Sequence, residues 1–367
     1  MAFERREALI HPAKPTSGPR RGTGVKAVAM ISGGLDSSLA VRLILQQGIE
    51  VVAVNFSTGF CLTDYQRRVA RKGQDPKKLR NQALRLGAET DVPVKIIDIA
   101  QEYLEVLKYP RYGYGKNVNP CVDCRIMMMS KAREFMQEIG ASFVFTGEVL
   151  GQRPKSQKRR TLALIERESG LEGRLLRPLS AKLLPPTIVE REGLVDREQL
   201  MAFHGRSRKP QERLAEELQV TEYPQPAGGC CYLTDPNYAR RVFDLFDHGL
   251  KAKASHEDLL LCKLGRHFRV SERAKVIVGR FEEENAFLRN FGLTRPSMEA
   301  VDHVGPLTVV DGEADEEVLT RAARITARYC DGHAEPRVRI RLTEGEKVRV
   351  LEVTPLSPVE AEAWLLR

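Results

Sequence analysis

Between residues 26 and 145, short apolar runs alternate with stretches in which apolar residues recur at helical spacing. The apolar runs, which predict strands, are 26–31, 50–56, 94–99 and 141–145, and the helical patterns between them are 36–47, 77–86 and 121–139. Strands that alternate with helices in this way form βαβ units, with the strands parallel in one sheet and helices on both faces. The sequence therefore predicts an α/β fold, whose ligands bind at the carboxyl ends of the strands.

The pattern changes after residue 147, where prolines become more frequent. The sequence next predicts a hairpin from 161–167 and 173–176, and then short helices at 197–204 and 211–218. Further on, helical patterns mix with strand patterns at 274–278, 307–310 and 338–342, which is typical of a smaller α+β domain. The predicted division is a flexible N-terminal segment at 1–25, a parallel-sheet domain at 26–150, an intermediate segment at 151–237 and the α+β domain at 238–367.

Composition excludes several classes of protein. With 42% hydrophobic and 29% charged residues over 367 positions, the chain can bury a core and is not disordered. No apolar stretch approaches the roughly 18 residues that span a bilayer, and the start has no apolar region typical of a signal peptide. The seven cysteines therefore favour a cytoplasmic protein without a membrane partner. The excess of 58 Lys and Arg over 49 Asp and Glu favours a polyanionic partner.

The most informative local motif is Ser-Gly-Gly-Leu-Asp-Ser-Ser at 32–38, between the first strand and the first helix. Glycines let the backbone turn tightly towards an anion, and the helix that follows presents the positive end of its dipole. Asp36 alone would repel a phosphate, so its presence favours a bound Mg²⁺ ion. An ordinary strand-to-helix turn with a capping Asp is the alternative. The nucleotide-binding candidates are Ser32, Gly33, Gly34, Asp36, Ser37 and Ser38.

This motif resembles the PP-loop of the N-type ATP pyrophosphatases. The resemblance implies that ATP binds with its β,γ-pyrophosphate on the loop and is cleaved between the α- and β-phosphates. Such enzymes adenylate an oxygen of the acceptor, and a nucleophile then displaces AMP. The superfamily includes members that form amides, lysidine or thiolated bases, so the loop alone leaves the reaction open.

Two groups of cysteines could carry sulfur or a metal. Cys121 and Cys124 open the helix at 121–139, where the helix dipole favours thiolates. Cys230 and Cys231 lie in a Gly-rich loop that allows close approach to a bulky group. Three of these thiols could hold an iron–sulfur cluster with one open iron, or one could carry a persulfide that another resolves. A [4Fe–4S] cluster on Cys121, Cys124 and either Cys230 or Cys231 is favoured, because a persulfide pair needs one thiol fewer.

Further motifs resemble the tRNA thiolation enzymes. Asn-Pro-Cys-x-x-Cys at 119–124 is similar to the 2-thiouridylase pattern, and Thr-Gly-Glu-x-Leu-Gly-Gln at 146–152 is similar to 4-thiouridine synthetase. The stretch from about 259 to the end is similar to the RNA-binding domain of the NFACT proteins. The resemblance adds to the nucleotide site Thr146, Gly147, Glu148 and Gln152.

These resemblances imply an ATP-dependent tRNA sulfurtransferase. A uridine carbonyl oxygen would attack the α-phosphate of ATP bound at Asp36, and sulfur held at Cys121 and Cys230 would then displace AMP. The sulfur would come from a cysteine desulfurase-type donor or from free sulfide. No stretch resembles the THUMP-like or rhodanese domains of the named enzymes, so the modified position and the sulfur route stay open. The alternatives are a PP-loop enzyme that inserts nitrogen and a non-catalytic RNA-binding module.

A basic run supplies the predicted RNA contacts. Lys155, Lys158, Arg159 and Arg160 lie in a stretch without acidic residues that follows the fourth predicted strand. Side chains of this kind hold RNA through its phosphates without reading its sequence. A solvated surface is the alternative for any such run. A second basic cluster contains Arg206, Arg208 and Lys209.

Overall fold

The computed structural model describes residues 9–10, 24–60, 81–224 and 231–366. These residues form two compact units, one that ends at Cys231 and one that begins at Tyr232. Most of the predicted flexible segment at 1–25 lies outside the described residues, and so does Cys230. The finer division of the chain at 150 and 237 stays a prediction.

The first unit is built on a six-stranded sheet in the order β1-β4-β3-β2-β5-β6. Neighbouring strands from β2 to β6 run parallel, and the short edge strand β1 runs antiparallel to β4. This arrangement confirms the predicted α/β class. The strands are β1 (Leu9–Ile10), β2 (Lys26–Met30), β3 (Glu50–Ser57), β4 (Val94–Asp98), β5 (Phe143–Thr146) and β6 (Leu175–Leu176).

The first unit has seven α-helices in the part of the chain that the structure describes. They are α1 (Leu35–Gln46), α2 (Gln82–Thr90), α3 (Ala100–Lys108), α4 (Cys121–Glu138), α5 (Arg159–Glu168), α6 (Ile188–Arg191) and α7 (Lys209–Glu217). Ala40 and Ile44 of α1 pack into the core that contains β2 and β3. Leu35 and Leu39, on another face of α1, pack against Leu214 of α7. Because α1 is buried on both sides, its first turn is fixed at the end of β2.

The predicted hairpin at 161–167 and 173–176 is wrong. Its first arm lies in helix α5, and its second arm contains β6, which pairs in parallel with β5. The alternation in Thr-Leu-Ala-Leu-Ile suggested a strand. However, the buried residues are Leu162 and Ile165, and their spacing of three places them on one face of an amphipathic helix.

The remaining predicted elements of the first unit agree more closely. The four predicted strands are observed as β2 to β5, and the predicted helix at 121–139 is α4. The predicted helix at 77–86 begins outside the described residues, and its described part belongs to α2, which continues to Thr90. The predicted helix at 197–204 is wrong in extent, because the structure has there a single 3₁₀ turn at Arg197–Gln199.

The second unit is an α+β domain with an antiparallel six-stranded sheet in the order β12-β11-β9-β10-β8-β7. Its strands are β7 (Arg266–Arg269), β8 (Ala274–Val278), β9 (Ser297–Ala300), β10 (Thr308–Gly312), β11 (Val338–Glu344) and β12 (Lys347–Val353). Its helices are α8 (Pro236–Leu245), α9 (His256–Leu261), α10 (Glu282–Gly292), α11 (Glu316–Arg328) and α12 (Pro358–Trp364). The apolar face of α11 packs on the sheet, and together they form the main core of this unit. In the described part of the chain, no helix has the length and apolarity needed to cross a membrane.

Candidate nucleotide and cysteine site

The loop between β2 and α1 requires glycine at Gly33. This residue has φ +72°, and an added Cβ would stand 2.1 Å from the backbone carbonyl carbon of Gln82 in α2. A side chain would therefore meet both backbone strain and a direct clash. Ser37 Oγ and Ser38 Oγ donate to the Gly34 carbonyl oxygen at 2.9 and 3.1 Å, which closes the first turn of α1. These two bonds hold the first turn of α1 in place, and the unpaired N–H groups of such a helix end suit an anion.

Asp36, in the first turn of α1, has one bonded and one unbonded carboxylate oxygen. Gln152 Nε2 donates to Asp36 Oδ2 at 3.0 Å, so two of the predicted nucleotide residues are in contact. Asp36 Oδ1 is buried and has no hydrogen-bond partner. Burial raises the pKa of the Asp36 carboxyl, although Gln152 and the nearby Arg208 guanidinium act in the opposite direction. A buried carboxylate oxygen without a donor suits Mg²⁺, which prefers oxygen ligands.

The end of β5 lies directly against the start of α1. A Cβ on Gly147 would stand 2.5 Å from the Asp36 carbonyl carbon and 2.5 Å from the Ser37 nitrogen. Thr146, the residue before it, is buried. The structure therefore brings the two predicted nucleotide motifs, 32–38 and 146–152, together at the carboxyl edge of the sheet.

Glu148 takes part in a buried ion-pair network. Its Oε2 accepts from Arg177 Nε at 3.2 Å, and both side chains are 3% exposed. Arg125 Nε lies 3.6 Å from its Oε1, and Arg177 also donates to Glu166 at 3.0 Å. Arginines therefore already engage the Glu148 carboxylate, and a direct contact with nucleotide stays a prediction.

The CxxC motif forms the first turn of α4. Cys121 and Cys124 are half-buried, and the Cys124 nitrogen donates to the Pro120 carbonyl at 2.9 Å. Between the two cysteines, the Asp123 carboxylate accepts from the backbone nitrogens of Arg111 and Tyr112 at 2.9 and 3.1 Å. Asp123 thereby fastens the Tyr- and Gly-rich loop before α4 to the same helix turn that carries the thiols.

The predicted basic run divides into two parts. Lys155 Nζ donates to the backbone carbonyls of Gly113, at 3.2 Å, and of Tyr114, and to that of Tyr112 at 3.5 Å. Its side chain also passes Gly115, whose added Cβ would lie 3.1 Å from Lys155 Cδ and 3.9 Å from Cys121 Cβ. Lys155 is thus a neighbour of Cys121 with its charge already solvated by carbonyls. By contrast, the exposed members of the run, at the start of α5, are Lys158, Arg159 and Arg160.

The predicted cluster ligands are only partly described. Among residues 24–60, 81–224 and 231–366, no three or more His, Cys, Asp or Glu side chains are grouped so that they could hold a metal ion. Cys121, Cys124 and Cys231 therefore do not form a ready-made site. Cys230 lies outside the described residues, so the set that contains it stays a prediction.

The sequence analysis did not identify two residues, Arg177 and Gln211, that lie near the site in the fold but far from it in the chain. Arg177 binds Glu148, and Gln211 of α7 is 1% exposed although its side chain is polar. A signal for Gln211 was present, because it falls three and four residues before the buried Leu214 and Ala215 on the apolar face of α7. No comparable pattern marked Arg177, whose partner is 29 positions away.

Comparisons with known proteins agree with this architecture. The family described as thiamine biosynthesis protein (ThiI) matches residues 22–182, and the NFACT protein RNA binding domain matches residues 265–365. A probable tRNA sulfurtransferase of Thermococcus kodakarensis is 29% identical over 160 residues, which are 43% of this chain and 38% of that protein. The tRNA-specific 2-thiouridylase MnmA of Petrotoga mobilis is 31% identical over 134 residues, which are 34% of this chain and 35% of the relative.

Among solved structures, a 4-thiouridine synthetase in complex with RNA and ATP aligns with 54% of this chain and 52% of its own, at 22% identity and a TM-score of 0.32. The chain spans less than two fifths of the length of the two curated relatives, 38% and 35%. Residues 22–182 thus form a ThiI-like PP-loop domain, distantly homologous to the tRNA thiolation enzymes, and residues 265–365 form a domain of the NFACT RNA-binding type.

Proposed function

We propose that this chain is an ATP-dependent tRNA sulfurtransferase that converts a uridine into a thiouridine. The main observation behind the proposal is that the phosphate loop, residues 32–38, and the CxxC motif, residues 121–124, belong to the same edge of the sheet. The loop follows β2 at its carboxyl end, and α4 precedes β5, which is parallel to β2. A helix that leads into a parallel strand begins at the carboxyl edge, so Cys121 and Asp36 belong to the same edge of one sheet.

The first half-reaction is adenylation of the base. The uridine carbonyl oxygen attacks the α-phosphorus of ATP, an oxygen–phosphorus bond forms, and the bond to the bridging oxygen of pyrophosphate breaks. This chain supplies position and charge: the unpaired Asp36 Oδ1 would hold the cation, and Gln152 donates to the other oxygen of that carboxylate. Mg²⁺, when bound, would neutralise part of the triphosphate charge.

The second half-reaction replaces oxygen by sulfur. A sulfur nucleophile attacks the adenylated carbon, and AMP leaves with the original carbonyl oxygen. The proposal assigns the sulfur to the cysteines that include Cys121, supplied by a cysteine desulfurase-type donor or by sulfide. Cys121 and Cys124 at one helix turn fit two ligands of the predicted [4Fe–4S] cluster, with Cys230 as the third, and such a cluster would supply an open iron for sulfide. A persulfide that a desulfurase-type donor delivers to one of these cysteines is the alternative route. Its outer sulfur would attack the adenylated carbon, and a second cysteine would then release the thiolated base by forming a disulfide that an external thiol reduces.

Two features support tRNA as the substrate. Lys158, Arg159 and Arg160 are exposed at the start of α5, where the helix dipole adds to their positive charge. The phosphates of a folded RNA would neutralise both the side-chain charges and the positive end of the helix dipole. The second unit adds a domain that matches the NFACT RNA-binding family.

The test uses α-labelled ATP, unmodified tRNA and sulfide under anaerobic conditions. AMP should form in proportion to a new thionucleoside, and Asp36→Ala should abolish both products while the thermal unfolding curve stays close to wild type. Glu172→Ala, which removes an exposed carboxylate of the same unit, is the matched control and should retain activity. AMP formed only with ammonia would instead support the nitrogen-inserting alternative. No AMP with any nucleophile would support a non-catalytic RNA-binding module.

A further inference from the structure

Several buried polar atoms near the start of α1 have no hydrogen-bond partner. They belong to three side chains: Asp36 Oδ1, Arg208 Nε, and both Nε2 and Oε1 of Gln211. A buried polar group left unpaired costs about 1–3 kcal/mol, so native structures seldom keep several of them in one place. Unpaired polar groups of this kind are expected at functional sites, where a polar ligand can complete them.

Helix packing brings these side chains together. Leu214 and Ala215 of α7 pack against Leu35 and Leu39 at the start of α1. Gln211 lies one turn before Leu214 on the same buried face of α7 and is 1% exposed. Its amide is therefore directed towards the first turn of α1, which carries Asp36. Burial raises the pKa of the Asp36 carboxyl, and the Arg208 charge and the Gln211 amide act in the opposite direction. Both side chains therefore lie near Asp36, although Gln211 makes no hydrogen bond of normal geometry to it.

Arg208 is a cation without a bound anion. It is the residue immediately before α7, and in the described residues no carboxylate lies within ion-pair distance of its guanidinium. Arg208 is close enough to lower the pKa of the Asp36 carboxyl, yet no ion pair joins the two side chains. A guanidinium binds phosphate through two parallel N–H groups more readily than it binds a single distant carboxylate.

We infer that Arg208 and Gln211 complete the nucleotide site: Arg208 binds the β,γ-phosphates of ATP, and Gln211 orients Asp36 towards the cation. Both residues lie outside positions 22–182, where the ThiI family matches, so that match gives them no role. This role replaces the earlier assignment of Arg208 to a basic cluster that could bind RNA. The inference rests on the proposed function only in its first step, the binding of ATP at this loop.

The decisive experiment measures nucleotide binding by the full chain, without tRNA, by titration calorimetry. The probes are Mg²⁺ with α,β-methylene-ATP, which cannot be cleaved between the α- and β-phosphates, and AMP. Arg208→Ala should weaken binding of the triphosphate by about 10- to 100-fold, the range for loss of a charged hydrogen bond, and should leave AMP binding within about two-fold. Arg206→Ala removes an exposed arginine two positions away and should change neither affinity.

Gln211→Leu tests the second residue and guards against a purely structural explanation. Leucine fills the same space without unpaired polar atoms, so the variant should unfold at the same or a higher temperature than wild type. The Mg²⁺ concentration required for triphosphate binding should nevertheless rise several-fold. A destabilised Gln211→Leu protein with unchanged Mg²⁺ dependence would show that Gln211 only packs, and would overturn its role.

The outcomes separate this inference from the proposed function. If Arg208→Ala weakens triphosphate binding selectively but the wild type makes no thionucleoside, the inference stands and the proposed reaction falls. Equal losses for α,β-methylene-ATP and AMP, or no loss for either, would overturn the assignment of Arg208 even if tRNA is thiolated. A wild-type chain that binds no triphosphate would refute both.

Discussion

A methyl group on Gly147 should disable the nucleotide site without unfolding the protein. A Cβ there would stand 2.5 Å from both the Asp36 carbonyl carbon and the Ser37 nitrogen, whereas ordinary contacts begin at 3.4 Å. Both clashing atoms belong to the backbone, so no side-chain rotation relieves the clash. The end of β5 and the start of α1 must therefore move apart by about 1 Å, in an interior that is close-packed.

The magnitude follows from the position of Asp36. Because α1 is buried on two sides, the movement changes the distance between Asp36 and Gln152, now 3.0 Å. Misplacement of reacting groups by about 1 Å costs on the order of 100-fold in rate. Gly147→Ala should thus lower kcat/KM for AMP formation about 100-fold, which corresponds to about 2.7 kcal/mol of activation free energy.

The matched control is Gly140→Ala, after the end of α4. Gly140 has φ +66° but open space around its Cβ position, so alanine there should destabilise the fold by about 1 kcal/mol and leave kcat/KM unchanged. Activity would be followed as AMP released from α-labelled ATP, and stability by urea unfolding. Wild-type kcat/KM in Gly147→Ala would show that contact between β5 and the phosphate loop does not determine the position of Asp36.

Two further predictions concern charge. Arg177→Met should lower the free energy of unfolding by about 3–5 kcal/mol in urea titrations, because it leaves the buried Glu148 carboxylate without its closest cation. Arg167→Met, at an arginine that is 59% exposed, should unfold like wild type, and equal decreases in the two variants would refute the buried pair as the cause. Neutralising Lys158, Arg159 and Arg160 together should reduce the slope of log affinity for tRNA against log salt by about 0.7–0.9 for each RNA phosphate that the variant no longer binds. An unchanged slope would show that these three side chains are solvated and do not bind RNA.

Short-range sequence patterns predicted the parallel sheet and the loop after its first predicted strand, because both depend on interactions between residues close in sequence. The parallel sheet followed from apolar runs separated by amphipathic helices, and the phosphate loop from glycines between a strand and a helix. The hairpin prediction failed for a local reason as well. A five-residue apolar stretch can satisfy a period of two or of 3.6, and only burial of Leu162 and Ile165 distinguishes them.

The surroundings of the site could not be predicted in the same way, because they depend on contacts distant in sequence. In the sequence, Lys155 has the same pattern as an RNA-binding lysine, but in the structure it donates to backbone carbonyls about 40 positions earlier in the chain. Arg208 had the same appearance until α7 was seen to pack on α1. A basic residue in a run has an identical sequence signature whether it meets solvent, backbone or ligand, so tertiary packing alone decides among them.

In the proposed reaction, one chain both activates a tRNA uridine with ATP and replaces its oxygen by sulfur. The most direct measurement is mass spectrometry of nucleosides from unmodified tRNA that has been incubated anaerobically with the full chain, Mg²⁺–ATP and sulfide. We expect a thiouridine that forms with ATP, does not form with α,β-methylene-ATP, and is absent with Cys121→Ala. A thiouridine formed equally with the uncleavable analogue, or none with ATP and either sulfide or a desulfurase as donor, would contradict the proposed reaction.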